Sequence, residues 1–278
     1  MESIQTVRPT RPAAGYLGGK RNLAKRLCSL IDGLDHDGYA EPFVGMGGIF
    51  LRRTTQPRVE AINDVNGEVV NLFRILQEHY PYFIDMLRWR IASRNEFERL
   101  KGIDPERLTD LQRAARFLYL QRLAFGGKVT GQNFGIDKSQ GARFNITKLE
   151  PLLGDIHERL AGVTIEQLSF DRFVGRWDRP GMLFYCDPPY FGCENDYGAD
   201  VFERGDFEKL AGLARNGRGK MIISINDTPE VRTIFSGLRM LEVQTTYTIS
   251  TATAGGKRVG ELVIANFDLA SEQRLPPG

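Results

Sequence analysis

The most chemically pointed stretch of this 278-residue chain is Asp187-Pro188-Pro189-Tyr190, which follows the apolar run Leu183-Phe184-Tyr185-Cys186. A hydrophobic strand that ends in an acid, two prolines and an aromatic has a restricted geometry. The prolines forbid helix at once and hold the turn rigid. Carboxylate, backbone carbonyls and ring can then converge on one pocket. A planar conjugated amine, such as the exocyclic amine of adenine, suits that pocket. Its lone pair is delocalised into the ring, so the nitrogen is a poor nucleophile. Asp187 and the carbonyl of Pro188 can accept its two N–H bonds while the Tyr190 ring stacks on the base. Such contacts aim the lone pair at a methyl donor, and near-attack geometry supplies much of the rate. The competing reading is a structural Asp-Pro-Pro turn.

Two further stretches have the makings of a ligand site. Glu41-Pro42-Phe43-Val44-Gly45-Met46-Gly47-Gly48 reads as a strand end, a Gly-rich turn and an apolar helix start. Such a turn lets backbone approach a ligand closely at the C-terminal edge of a parallel sheet. Its spacing is G-x-G-G rather than G-x-G-x-x-G, so a plain tight turn is the alternative. Ile62-Asn63-Asp64-Val65-Asn66 ends the next strand, where an acid can bind ribose hydroxyls. Otherwise Asp64 or Asn66 merely caps the following helix. Together the two stretches favour an adenosine-containing ligand, without separating a dinucleotide from S-adenosylmethionine.

The elements that must position these residues alternate. Candidate strands are 39–43, 59–62, 163–168, 182–186, 220–225, 241–249 and 261–267, with helices over 20–31, 66–77, 206–214 and 228–235. That alternation implies an α/β fold, a mostly parallel sheet with helices on both faces. No helix fits between the last two strands. Residues 250–258, with Gly255-Gly256 as the turn, read as a hairpin loop that makes one C-terminal strand antiparallel. Residues 78–149 are too long for a βα connection and too patterned for a disordered loop. They read as a mainly helical inserted subdomain, the catalytic domain being 1–77 with 150–278. Trp89 and Phe97 read as core of that insert.

The net charge of +2 hides an asymmetry. Residues 1–27 carry six Lys/Arg against one acid, and residues 111–147 six against one, so the remainder is net acidic. Two basic segments suggest a localised polyanion-binding face; solvated helix faces are the alternative. His36, His79 and His157 lack ligand spacing, so no metal is expected. Cys28, Cys186 and Cys193 are too few for a disulfide scaffold, and Cys186 reads as a buried structural thiol. With no apolar run near ~18 residues and no leader-like start, no membrane partner is expected. A cytoplasmic setting fits best.

At this point the chain resembles the Dam-type DNA adenine methyltransferases, and among them is similar to phage and prophage members. Ala14-Gly15-Tyr16-Leu17-Gly18-Gly19-Lys20 resembles their N-terminal cofactor motif, Glu41 to Gly47 their glycine motif, and Asp187 to Tyr190 their Asp-Pro-Pro-Tyr. Lys257 to Asn266 resembles their closing segment. The resemblance implies a Rossmann-like S-adenosylmethionine-dependent methyltransferase sheet of about seven strands, the insert serving target recognition. It implies a cofactor site of Tyr16, Lys20, Phe43, Gly45, Gly47, Asp64, Phe170, Asp171 and Asp187. It implies a catalytic set of Asp187, Pro188 and Tyr190 that holds an adenine flipped from double-stranded DNA. The insert departs from the family text at Arg122 to Gly135, where Gly126-Gly127-Lys128 replaces an Asn-Gly hairpin, so a GATC target does not follow. Arg122, Lys128, Gln132 and Asn133 are the candidate DNA contacts, to phosphate or base edges. A monomer is compatible with the sequence. The rival functions are an RNA adenine methyltransferase, a nucleotide-cofactor oxidoreductase and a non-enzymatic DNA-binding module.

Overall fold

The computed structural model describes residues 4–16, 20, 22–127, 131–135, 141–194, 202–246 and 258–269. A short antiparallel pair, β1 (Gln5–Thr6) and β3 (Thr55–Gln56), flanks the main sheet. The main sheet has seven strands: β2 (Gly38–Glu41), β4 (Val59–Asn63), β5 (Thr164–Glu166), β6 (Met182–Cys186), β7 (Lys220–Asn226), β8 (Arg239–Thr246) and β9 (Arg258–Ala265). Their order is β5-β4-β2-β6-β7-β9-β8. The first five pair in parallel, and β9 runs antiparallel to both β7 and β8. This is the expected Rossmann-like sheet with one antiparallel strand. The hairpin loop expected between its last two strands falls almost wholly outside the described residues.

The helices are α1 (Ala24–Asp32), α2 (Gly67–Glu78), α3 (Tyr80–Arg88), α4 (Arg94–Lys101), α5 (Asp110–Leu123), α6 (Ile146–Arg159), α7 (Phe170–Trp177), α8 (Arg204–Asn216) and α9 (Pro229–Ile234). Helix α1 starts at Ala24, later than the expected 20, so Lys20 lies in the segment that leads into it. The side chain of Asn66 caps α2 by accepting from the Glu68 N–H. Helices α7, α8 and α9 cover one face of the sheet around Phe173, Phe207 and Phe235. The other face carries α1 and α2, and helices α3 to α6 extend the same apolar cluster without a break. Residues 78–149, expected as an insert, therefore share an apolar cluster with the sheet. Phe97 is fully buried there, but Trp89 is 87% exposed. Trp89 lies just past the end of α3 and Phe97 belongs to α4, so the two do not share one helical face.

At the N-terminal end of the strands the sheet is pinned by a buried charge cluster. The Arg53 guanidinium, with no exposed surface, donates to Asp32 Oδ1 at 2.9 Å and to Glu60 Oε1 at 3.2 Å. It also bonds His36 at 2.9 Å and lies 3.8 Å from the Tyr39 ring centroid. Arg159 of α6 reaches the same Glu60 with two bonds, at 2.6 and 2.8 Å. Glu60 thus joins β4 to both α6 and Arg53. Glu60→Gln leaves two buried guanidinium groups short of an anion, and breaking a buried pair costs about 3–5 kcal/mol. Urea unfolding is expected to show that loss; a change under about 1 kcal/mol, the value of a surface pair, contradicts the role given to Glu60.

Candidate active site

The strand order reverses between β2 and β6, and open parallel sheets bind ligands in the crevice at such a point. Both chemically pointed stretches end there. Past β2 the chain turns through Gly45 at φ 50° and Gly47 at φ 74°, a region only glycine enters freely. A Cβ on Gly45 would lie 3.2 Å from the Tyr16 ring, and one on Gly47 would lie 2.9 Å from Leu51. Gly45 therefore admits Tyr16 against the turn, whereas Gly47 serves packing. Asp64, at the end of β4, ties the turn down: Oδ2 accepts from Gly45 N at 2.8 Å and Oδ1 from Asn66 N at 2.9 Å. Burial pushes its carboxyl up to about 6, against those two bonds.

Past β6, Asp187 meets Lys20. The Lys20 Nζ lies 3.1 Å from Asp187 Oδ1 and 2.9 Å from Tyr190 Oη, and it is also bonded to Glu261 Oε1 on β9. Lys20 and Glu261 are both buried. The Tyr190 hydroxyl donates to Glu261 Oε2 at 3.3 Å. Behind Asp187, the Ser224 hydroxyl stands 3.4 Å from Oδ1 and 2.7 Å from Tyr185 Oη. Burial pushes the Asp187 carboxyl up to about 6; Glu261 adds to the rise and Lys20 opposes it.

A cavity of about 520 Å³ joins the two stretches. Tyr16, Lys20, Phe43, Gly45, Asp64 and Asp187, all expected site residues, line it. Pro188 and Tyr190 flank it through the same turn, with Pro189 on its wall. Phe170 stands one layer back, 5.3 Å from the Phe43 ring centroid. Asp171 lies in the first turn of α7, where a Ser169 hydrogen bond lowers its pKa, and it is not among the lining residues. Sequence reasoning missed three lining or neighbouring groups. Phe202 completes an aromatic triad with Phe43 and Phe170, at 5.8 and 5.6 Å. Glu41 lies on the cavity with Tyr39 donating to its Oε1 at 2.6 Å, and burial pushes its carboxyl up to about 8. Glu261 is the third. Its signal was an acid inside the apolar run 261–265, quoted for resemblance but given no role.

The expected DNA contacts divide. Asn133 is exposed. Lys128 lies outside the described residues. Arg122 is half-buried and lines the cavity, its guanidinium donating to the carbonyls of Ala13 and Arg143. Gln132 is buried and donates to Gln121 Oε1 at 3.0 Å, and Gln121 in turn donates to Gly15 O at 2.8 Å. Arg122 and Gln132 therefore brace segment 13–15, Gln132 from a buried position and Arg122 from the cavity wall. Arg113 and Arg116 are engaged as well, with Glu68 and with the carbonyls of Leu100 and Lys101. Charge counting along the chain, which suggested a polyanion-binding face with solvated helix faces as the alternative, is blind to such long-range partners.

The family described as "D12 class N6 adenine-specific DNA methyltransferase" matches residues 16–249. The chain belongs to that family. It is an adenine-specific DNA methyltransferase, which disfavours the RNA, oxidoreductase and purely DNA-binding readings. The chain is 24% identical over 276 residues to the Type II methyltransferase M1.LlaDCHI of Lactococcus lactis subsp. cremoris, spanning 92% of this chain and 95% of that one. It is 28% identical over 241 residues to a DNA adenine methylase of Vibrio cholerae, spanning 80% and 84%. It is 27% identical over 219 residues to the DNA N-6-adenine-methyltransferase of Escherichia phage P1, spanning 72% of this chain and 28% of that one.

Glu41 generates a signed prediction. Its folded pKa of about 8 lies above the ordinary 4.5. Between those values the folded state holds a proton that the unfolded state has lost, so stability falls as pH rises through this window. Glu41→Gln is expected to flatten that fall, measured as unfolding free energy against pH without cofactor. Identical pH dependence in variant and parent contradicts a protonated Glu41.

Proposed function

We propose that this methyltransferase takes the methyl group of S-adenosylmethionine and places it on the N6 amine of an adenine flipped out of double-stranded DNA. The observation that carries this reading is the meeting of Asp187 with the Gly45–Asp64 turn on one cavity at the switch point of the sheet. The cavity has the volume of a small-molecule site, with one aromatic wall and a few polar groups. Those residues fit the cofactor. Phe43 and Phe202, backed by Phe170, offer a stacking wall for its adenine. Asp64 stands where a ribose hydroxyl would be held, and the close-packed Gly45 backbone leaves room beside it. When bound, S-adenosylmethionine supplies an electrophilic methyl group on a sulfonium centre.

The chain's own residues do the rest. Asp187 Oδ and the Pro188 carbonyl accept the two N–H bonds of the target amine. The Tyr190 ring receives the face of the base. These contacts orient the lone pair, and orientation lowers the barrier without a covalent enzyme intermediate. The amine gives up one proton to Asp187, whose carboxyl titrates close enough to neutrality to take it. Flipping costs a few kcal/mol of stacking and pairing, which phosphate contacts offset. We assign those contacts to the cavity mouth, where Arg11 is exposed, and to Asn133 in the insert. The insert then serves target recognition, as it lies against the cavity-lining segment. Among the described residues no helix is long and apolar enough to cross a membrane, and we place the enzyme in the cytoplasm.

Transfer of labelled methyl to unmethylated plasmid DNA tests the reading. Asp187→Ala is expected to abolish transfer while cofactor affinity is retained; turnover near the parent's contradicts the assignment. The parent's kcat/KM is expected to fall as pH drops through about 6, where Asp187 takes up a proton and loses an acceptor. A pH-independent rate between 5 and 7 contradicts it. Arg11→Gln is expected to weaken DNA binding and to shallow the log–log salt slope by about one. An unchanged slope removes Arg11 from the phosphate contacts.

A further inference from the structure

Glu261 is 71 positions from Tyr190 in sequence, yet its carboxylate bonds both Tyr190 and Lys20. We propose that Glu261 is a positioning residue of the methyl-transfer site: it fixes the Lys20 ammonium and the Tyr190 hydroxyl in one frame, and so keeps an acceptor face of Asp187 open for the target amine. This rests on the reading of Asp187 as the group that receives the amine.

Donor counting supports it. An ammonium has three N–H donors and no acceptor. Among the described residues, oxygens within reach of Lys20 include Asp187 Oδ1, Tyr190 Oη and Glu261 Oε1. The Tyr190 hydroxyl accepts from Lys20 and donates to Glu261 Oε2, so Lys20, Tyr190 and Glu261 close a ring of hydrogen bonds. A closed ring fixes the tyrosine ring as well as its hydroxyl. The register of the sheet extends the frame. Glu261 pairs across the ladder with Asn226 of β7. Asn226 accepts from Phe191 N at 2.8 Å and donates to Phe191 O at 3.0 Å. Neighbouring residues of the antiparallel pair thus hold consecutive residues of the turn after Asp187.

Without the Glu261 charge, Asp187 is the anionic partner left to the buried ammonium among the described residues. The ammonium would close on Asp187 and occupy the lone pairs that the amine needs. The groups that face Asp187 are Glu41 from β2, Tyr185 from β6, Ser224 from β7, Glu261 from β9, Tyr190 and Lys20. Only Glu261 is altered by the substitution. Its negative charge favours the protonated form of Asp187. Removing it, and freeing Lys20 for Asp187, both favour the carboxylate.

The experiment compares the parent, Glu261→Gln and Asp187→Ala on unmethylated plasmid DNA. Affinity for S-adenosylhomocysteine, thermal melting, kcat, KM and the pH profile are read for each. Glu261→Gln is expected to fold and to bind S-adenosylhomocysteine as the parent does. Its kcat should fall on the order of 10²-fold, the cost of misplacing a reacting group by about 1 Å. The acid limb of kcat/KM should move to lower pH, which a merely structural role would not produce. A parental kcat with an unmoved acid limb, alongside an inactive Asp187→Ala, overturns this inference alone. An active Asp187→Ala overturns the reading beneath it. Should Glu261→Gln fail to fold, Glu261→Asp keeps the charge but shortens the reach. A lowered kcat at parental cofactor affinity then supports the proposal, and a parental kcat overturns it.

Discussion

The Lys20 ammonium is almost wholly withdrawn from water, and that single constraint organises the catalytic end of the molecule. A buried charge is tolerable only when paired and hydrogen-bonded. Its oxygens come from two separate parts of the chain: the turn after β6 and the last strand. Satisfying one ammonium therefore forces the N-terminal segment, the Asp187 turn and β9 together. The same ammonium then tempers the acid beside it. Asp187 is raised by burial yet held within reach of neutrality by the positive charge.

The same device recurs at the opposite end of the strands with a different outcome. There Arg53 and Arg159 share Glu60, with Asp32, His36 and Tyr39 closing the cluster. These charges pin the sheet. At the catalytic end the cluster is left incomplete on the side of Asp187, which lines the cavity. The difference between a pin and a site is whether one member of the cluster keeps an open face.

How much of this was legible in the sequence follows from the range of each interaction. Strand β6 has the bounds expected, because an apolar run that meets Asp-Pro-Pro has one place to stop. The glycine turn and Asp64 were legible for the same local reason. Lys20 was not: it was read as a helix-start residue and tied to the cofactor only by resemblance. Its partner Glu261 is 241 positions away, and no local pattern encodes that pairing. Phe202 carries no motif and is recruited by two distant rings. Arg122 and Gln132 have partners that the sequence did not show. Charge and polarity pointed them outward, whereas the fold supplies the carbonyls and the Gln121 amide that engage them.

The central claim is that a buried Lys20 sets the protonation of Asp187. The most direct measurement is a ¹³C NMR titration of the Asp187 side-chain carboxyl in the parent and in Lys20→Met. The account predicts a midpoint near 6 in the parent and a higher one in the variant, since the opposing positive charge is gone. The same midpoint in both proteins would contradict it, and Lys20 would then be a strut that leaves the chemistry of Asp187 untouched.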